Sequence, residues 1–134
     1  MSGNRIIIQD VGGLSRNSRA GDSLIANAAP QVITADAVDT ITVAKIAAGV
    51  IVYSGLTAGR NLTTDTAANI LAAYPSMDIG DSIELMISCT AAFAGTYVAG
   101  AGVTLVGRAT VPASSHVHVF IRKTSATTVD WIAL

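Results

Sequence analysis

The sequence predicts an all-β chain, a jelly-roll-like β-sandwich with one short helix and an extended N-terminal arm. Three observations carry this expectation. Hydrophobic residues make up 51% of the chain and aromatics only 4%, so the apolar content is Ala, Val, Ile and Leu set among Thr, Ser and Gly, a composition suited to closely packed pleated surfaces. From Gln31 onward, short β-branched runs alternate with Gly, Asp, Pro and Ser, which is the spacing of a sandwich or barrel and not of a parallel α/β sheet. A length of 134 residues accommodates one domain and excludes a second.

The arm is residues 1–30. It carries glycines at 3, 12, 13 and 21, asparagines at 4, 17 and 27, and the short apolar run Ile6-Ile7-Ile8. Thirty extended residues reach roughly 100 Å, well beyond the domain, so the arm is expected to lie on a neighbouring surface. Arg5, Ile6, Ile7, Ile8, Arg16 and Arg19 are the residues expected to make that contact.

The sandwich domain is residues 31–134. Strands are expected over Gln31 to Ala35, Thr40 to Ala47 and Val50 to Ser54. A helix is expected over Thr66 to Tyr74, capped by Thr64 or Asp65 and ended by Pro75, with Ala67, Ile70, Leu71 and Tyr74 on its inner face. Ser82 to Thr90 shows the clearest alternation: Ile83, Leu85, Ile87 and Cys89 face one side while Ser82, Glu84, Ser88 and Thr90 face the other. Further strands are expected over Thr96 to Ala99, Val103 to Val106, Ala109 to Val111, Val117 to Lys123 and Thr128 to Ala133, with Gly100-Ala101-Gly102 as a tight hairpin turn.

Charge and motif content narrow the function classes. Charged residues are 13% of the chain, about half the usual share, and mean hydropathy is +0.54. The longest apolar stretch, Ile46 to Val52, is strand length and far short of the about 18 residues of a membrane helix. Permanent burial of part of the surface against other protein accounts for both properties. A net charge of −1 with few aromatics argues against a nucleic-acid partner, which requires clustered cations and stacking platforms. No secretion signal opens the chain, so the sequon Asn61-Leu62-Thr63 is read as chance.

Catalytic and cofactor motifs are lacking. The glycines at 100, 102 and 107 do not have the spacing of a dinucleotide loop, and Val103 to Val106 between them reads as a strand instead of a helix start. Ser54-Gly55 lacks the upstream glycine of a nucleophile elbow. Asp78, Asp81 and Asp130 read as turn formers or surface charges, and the lone Cys89 as a small core residue. His116 and His118 stand two apart on a strand and therefore share a face. On a three-fold axis they would offer six nitrogens to a divalent transition metal, but the simpler reading is surface or interface histidines. No cofactor is expected.

Several stretches resemble a β-rich module of tailed-phage structural proteins. They are Gly80-Asp81-Ser82 with the alternating strand it opens, Tyr97 through Gly107, Ala109-Thr110-Val111, the closing Thr127-Thr128-Val129, and the short helix from Thr66 to Pro75. The resemblance covers half to two thirds of the chain and is similar in pattern to capsid decoration, or cement, proteins. It implies a non-enzymatic virion protein that forms trimers or dimers on the major capsid protein; the shortage of charge favours a homotrimer over a dimer, and the N-terminal residues lead us to expect synthesis in the host cytoplasm. Two alternatives remain open: a head- or tail-fibre or receptor-binding virion protein, and a small β-barrel enzyme or ligand-binding protein.

Overall fold

The computed structural model describes residues 29–134. The arm positions Arg5, Ile6, Ile7, Ile8, Arg16 and Arg19 lie outside the described residues. The mostly-β expectation holds, and two sheets enclose one core. The six-stranded sheet contains β1 (Gln31–Ile33), β3 (Val50–Tyr53), β5 (Ser82–Cys89), β9 (Ser115–Lys123), β10 (Val129–Ala133) and β7 (Val103–Gly107), in that order. The four-stranded sheet contains β2 (Asp39–Ile41), β4 (Arg60–Thr64), β6 (Gly95–Val98) and β8 (Thr110–Val111), in that order.

Strand direction corrects the expected connectivity. Five pairings are parallel, β1 with β3, β3 with β5, β2 with β4, β4 with β6 and β10 with β7. Three are antiparallel, involving β9 and β8. A jelly roll is built from antiparallel strands, so that topology does not describe this chain. The chain instead winds like a short solenoid, alternating sheets at each strand from β1 to β6, so that each strand lies beside the one two strands earlier. Strand β8 then runs back along β6, and β9 runs back along β5, closing the winding.

Two helices, not one, complete the first two windings. The expected strand Thr40 to Ala47 is β2 followed by α1 (Val43–Ala48). Thr42 takes an extended backbone before α1, and Gly49 ends it at φ 79°, a left-handed conformation that glycine adopts without a Cβ penalty. The second helix, α2 (Ala67–Ala73), begins at Thr66, whose side chain accepts the Asn69 N–H, one or two residues after the expected cap. Ala67 and Ile70 are buried on its inner face. Strand β4 lies in a segment read from sequence only as a chance sequon.

The windings are fastened at their corners. The Ile41 carbonyl accepts the Asp65 N–H at 3.1 Å, and Thr64 Oγ1 accepts the Gly100 N–H at 2.8 Å. Close approach there requires glycine, because a Cβ at Gly100 would come within 2.6 Å of the Thr64 carbonyl oxygen. Gly100 to Gly102 forms a turn, as expected, but it joins β6 of one sheet to β7 of the other and is not a hairpin.

The core obeys the alternation of each strand. Ile83, Leu85, Ile87 and Cys89 point inward from β5, and Val117, Val119 and Ile121 from β9. Tyr97 from the four-stranded sheet meets Trp131 from the six-stranded sheet edge-on, with ring centroids 5.7 Å apart. This contact ties the two sheets face to face.

Candidate functional site

The polar clusters tie elements of the fold to one another. Asp39 on β2 receives the Tyr53 hydroxyl from β3 at 2.7 Å and the Lys45 ammonium from α1 at 2.6 and 2.7 Å. Lys45 also donates to the Thr40 carbonyl. Burial, reinforced by the Asp39 carboxylate, pushes the Tyr53 hydroxyl far above its ordinary pKa, so this phenol keeps its proton and clamps one sheet to the other. Sequence reasoning missed the cluster because its members come from three elements and share no spacing.

A second cluster fastens two corners. Asp36 accepts the Thr57 N–H at 3.0 Å, the Thr57 hydroxyl, and Arg60 Nε at 3.0 Å. The Arg60 guanidinium first, and then Thr57, hold the Asp36 carboxyl well below the usual carboxylate range. Cys89 is buried as expected, its thiol donating to the Phe93 carbonyl at 2.8 Å, and desolvation raises its pKa. Such a thiol is a core group and not an activated nucleophile.

The surface features that differ from an ordinary domain lie on the outer sheet faces. His116 and His118 stand there side by side on β9, with ring centroids 6.4 Å apart. Glu84 on β5 comes within 3.9 Å of His118 Nδ1. Among the described residues, no group of three or more His, Cys, Asp or Glu is placed to hold a metal ion. Arg122 lies on the same face, while Lys123 Nζ donates to the Met77 carbonyl at 2.9 Å. Asp81 accepts the Asp78 N–H, forming the turn before β5.

The two outer faces differ in chemistry. On the four-stranded sheet, the register aligns Thr40, Thr63 and Val98 in one row and Asn61, Thr96 and Thr110 in another. Five of those six residues are polar and uncharged. On the six-stranded sheet, seven of fifteen outward positions are apolar: Val32, Val50, Val52, Met86, Val106, Phe120 and Ile132. Val32 is 58% exposed and Val106 41%. An alternating strand normally gives a polar outer face, so this face is suited to contact with protein.

No helix among the described residues is long and apolar enough to cross a membrane. The chain matches no family model, no curated protein and no solved structure.

Proposed function

We propose that the chain is a structural protein of a tailed-phage virion, a decoration protein that binds the major capsid protein as a homo-oligomer and stabilises the shell. The resemblance of the segments from Thr66 onward to such modules supports this reading. The observation that carries it is the set of seven apolar residues on the outer face of the six-stranded sheet in a chain with so few charges. A face of this kind supplies area for the self-association in this proposal, and repeated contact area is what a cement protein adds to a shell. The mechanism is linkage: a ligand that binds only the mature shell shifts the equilibrium toward that shell at every occupied site.

Within this proposal, residues 1–30 supply a docking segment. The winding begins with β1 at Gln31, and the buried core runs from Ile41 to Ala133. A chain lacking residues 1–28 keeps every one of these described core residues and is the shortened form to compare. The test is cosedimentation of the purified chain with capsids made without it. Saturable binding at a fixed ratio to the capsid subunit is expected. No binding by either the complete chain or the shortened one would overturn the virion reading.

A further inference from the structure

The register of the six-stranded sheet arranges its outward apolar residues as one diagonal band. Val52 leads to Val50 and Met86, and these lead to Phe120, Ile132 and Val106. With Val32 of β1 beside Val52, the band crosses the sheet from one edge strand to the other. His118 stands within the band beside Met86, its Nδ1 3.9 Å from Glu84; His116 lies on one side, with Ser88 beside it on β5, and Glu84 and the pair Arg122 and Asp130 lie on the other. The four-stranded sheet, with its threonine and asparagine rows, serves as an internal comparison: the same composition yields no such band there.

From this geometry we infer that the outer face of the six-stranded sheet binds a second copy of the chain, face to face about a two-fold axis running along the band. The inference rests on the self-association proposed above and names its surface. Two considerations select a second copy as the occupant. The first is charge: a two-fold axis along the band exchanges its sides, so Glu84 of one copy comes opposite His116 of the other, twice in each pair. An imidazole has an N–H to donate to a carboxylate whatever its charge. A contact of this kind is self-complementary, as an isologous interface must be.

The second consideration is area. Strands about 4.8 Å apart and outward rows about 6.7 Å apart make a face of about 24 by 20 Å. Its projected area is about 480 Å², and the accessible area is larger because side chains stand up from the sheet. An ordinary interface takes about 800 Å² from each partner, so this face with a rim of flanking loops is of the size required. Sheets stacked in this way lie about 10 Å apart, their strands within about 30°. A two-fold contact makes the assembly even-numbered, in place of the trimer expected from sequence.

Sedimentation equilibrium of the complete chain at about 10 μM, a concentration suited to micromolar association, tests the inference. A mass twice 13.6 kDa is expected. Met86→Lys and Phe120→Lys point outward and should keep the melting transition while weakening association at least about tenfold. Glu84→Lys and His116→Glu should each weaken it, and the double variant E84K/H116E should restore it to within a few fold. Thr63→Lys and Thr96→Lys, on the other sheet, should change nothing.

A monomeric chain, a double variant as weak as the singles, or dissociation caused by the four-stranded-sheet variants would each overturn the inference. A chain that is monomeric until residues 1–28 are removed would also overturn it, showing that this segment covers the face. Capsid cosedimentation separates this outcome from the fate of the virion proposal. Binding by a chain whose mass ignores Phe120→Lys would sink the surface alone. A dimer that never binds capsids would sink the virion reading alone.

Discussion

The Asp65 carboxylate joins two helices that belong to different windings. Its Oδ2 accepts the backbone N–H of Val43, the first residue of α1, at 3.0 Å across 22 positions of sequence. Its Oδ1 accepts the Thr66 N–H and the Asn69 side-chain amide, both at 2.8 Å, at the start of α2. Thr42, at the α1 cap position, makes no side-chain cap of its own, so Asp65 supplies it from the next winding. A carboxylate at a helix start satisfies a free N–H and complements the helix dipole. Asp65→Ala should therefore cost about 2 kcal/mol, since two helix starts lose an acceptor. Chemical denaturation would measure it, and a change near zero would mean that solvent replaces the carboxylate at both ends.

Two buried tyrosines should respond oppositely to loss of the hydroxyl. Tyr53 donates to Asp39 at 2.7 Å, whereas Tyr97 Oη and Trp131 Nε1 are buried without a hydrogen-bond partner. The Trp131 N–H is near enough to oppose the rise that burial imposes on the Tyr97 hydroxyl, but the geometry falls short of a bond. Tyr53→Phe should cost about 1–3 kcal/mol by leaving a carboxylate short of a donor, and Tyr97→Phe should be neutral or stabilising. Equal losses in denaturant titrations would show that both hydroxyls are equally satisfied.

Gly55→Ala should be among the most damaging small substitutions. A Cβ there would overlap the Thr34 carbonyl of the preceding winding, and backbone on both sides leaves nothing to rotate away. A loss of more than about 2 kcal/mol, or failure to fold, is expected. A melting temperature equal to the original would mean that the two corners lie farther apart than described.

Asp36 sets an acid limit. Its pKa is depressed in the folded chain by Arg60 and Thr57, so its contribution is present above the unfolded pKa of about 3.9 and is lost as pH falls below it. Asp36→Asn should therefore lower stability at neutral pH and flatten the acid side of the stability curve. Parallel pH dependence in the two proteins would contradict the assigned role.

How much of this was legible in the sequence depends on which physical signal each part leaves. Alternation in Ser82 to Thr90 revealed the inward and outward faces of β5, because side-chain period is a property of the strand alone. The α2 segment was legible from Ala67, Ile70, Leu71 and Pro75, although its cap is Thr66 and not Thr64 or Asp65. Helix α1 was concealed by the β-branched run Thr40-Ile41-Thr42-Val43 that leads into it, although Gly49 is an ordinary stop signal. Parallel direction left no trace, since alternation specifies a face and not a direction. Nor did the winding read as a repeat: 20 residues separate Gln31 from its neighbour Ile51, but 36 separate Ile51 from Ile87. The apolar band was invisible for the same reason, because it exists only once register places Met86 beside Val50 and Phe120 beside Ile132.

The most direct test of the account is DNA release from capsids stripped of this protein and from the same capsids after it is restored. Under the proposed capsid role, linkage would stabilise a decorated shell by about 2.7 kcal/mol per site at a hundredfold excess over Kd, repeated at every occupied site. Stripped particles should therefore release DNA at lower temperature and under milder osmotic shock, and restored particles should recover. Identical release curves, with binding confirmed by cosedimentation, would contradict the stabilising role.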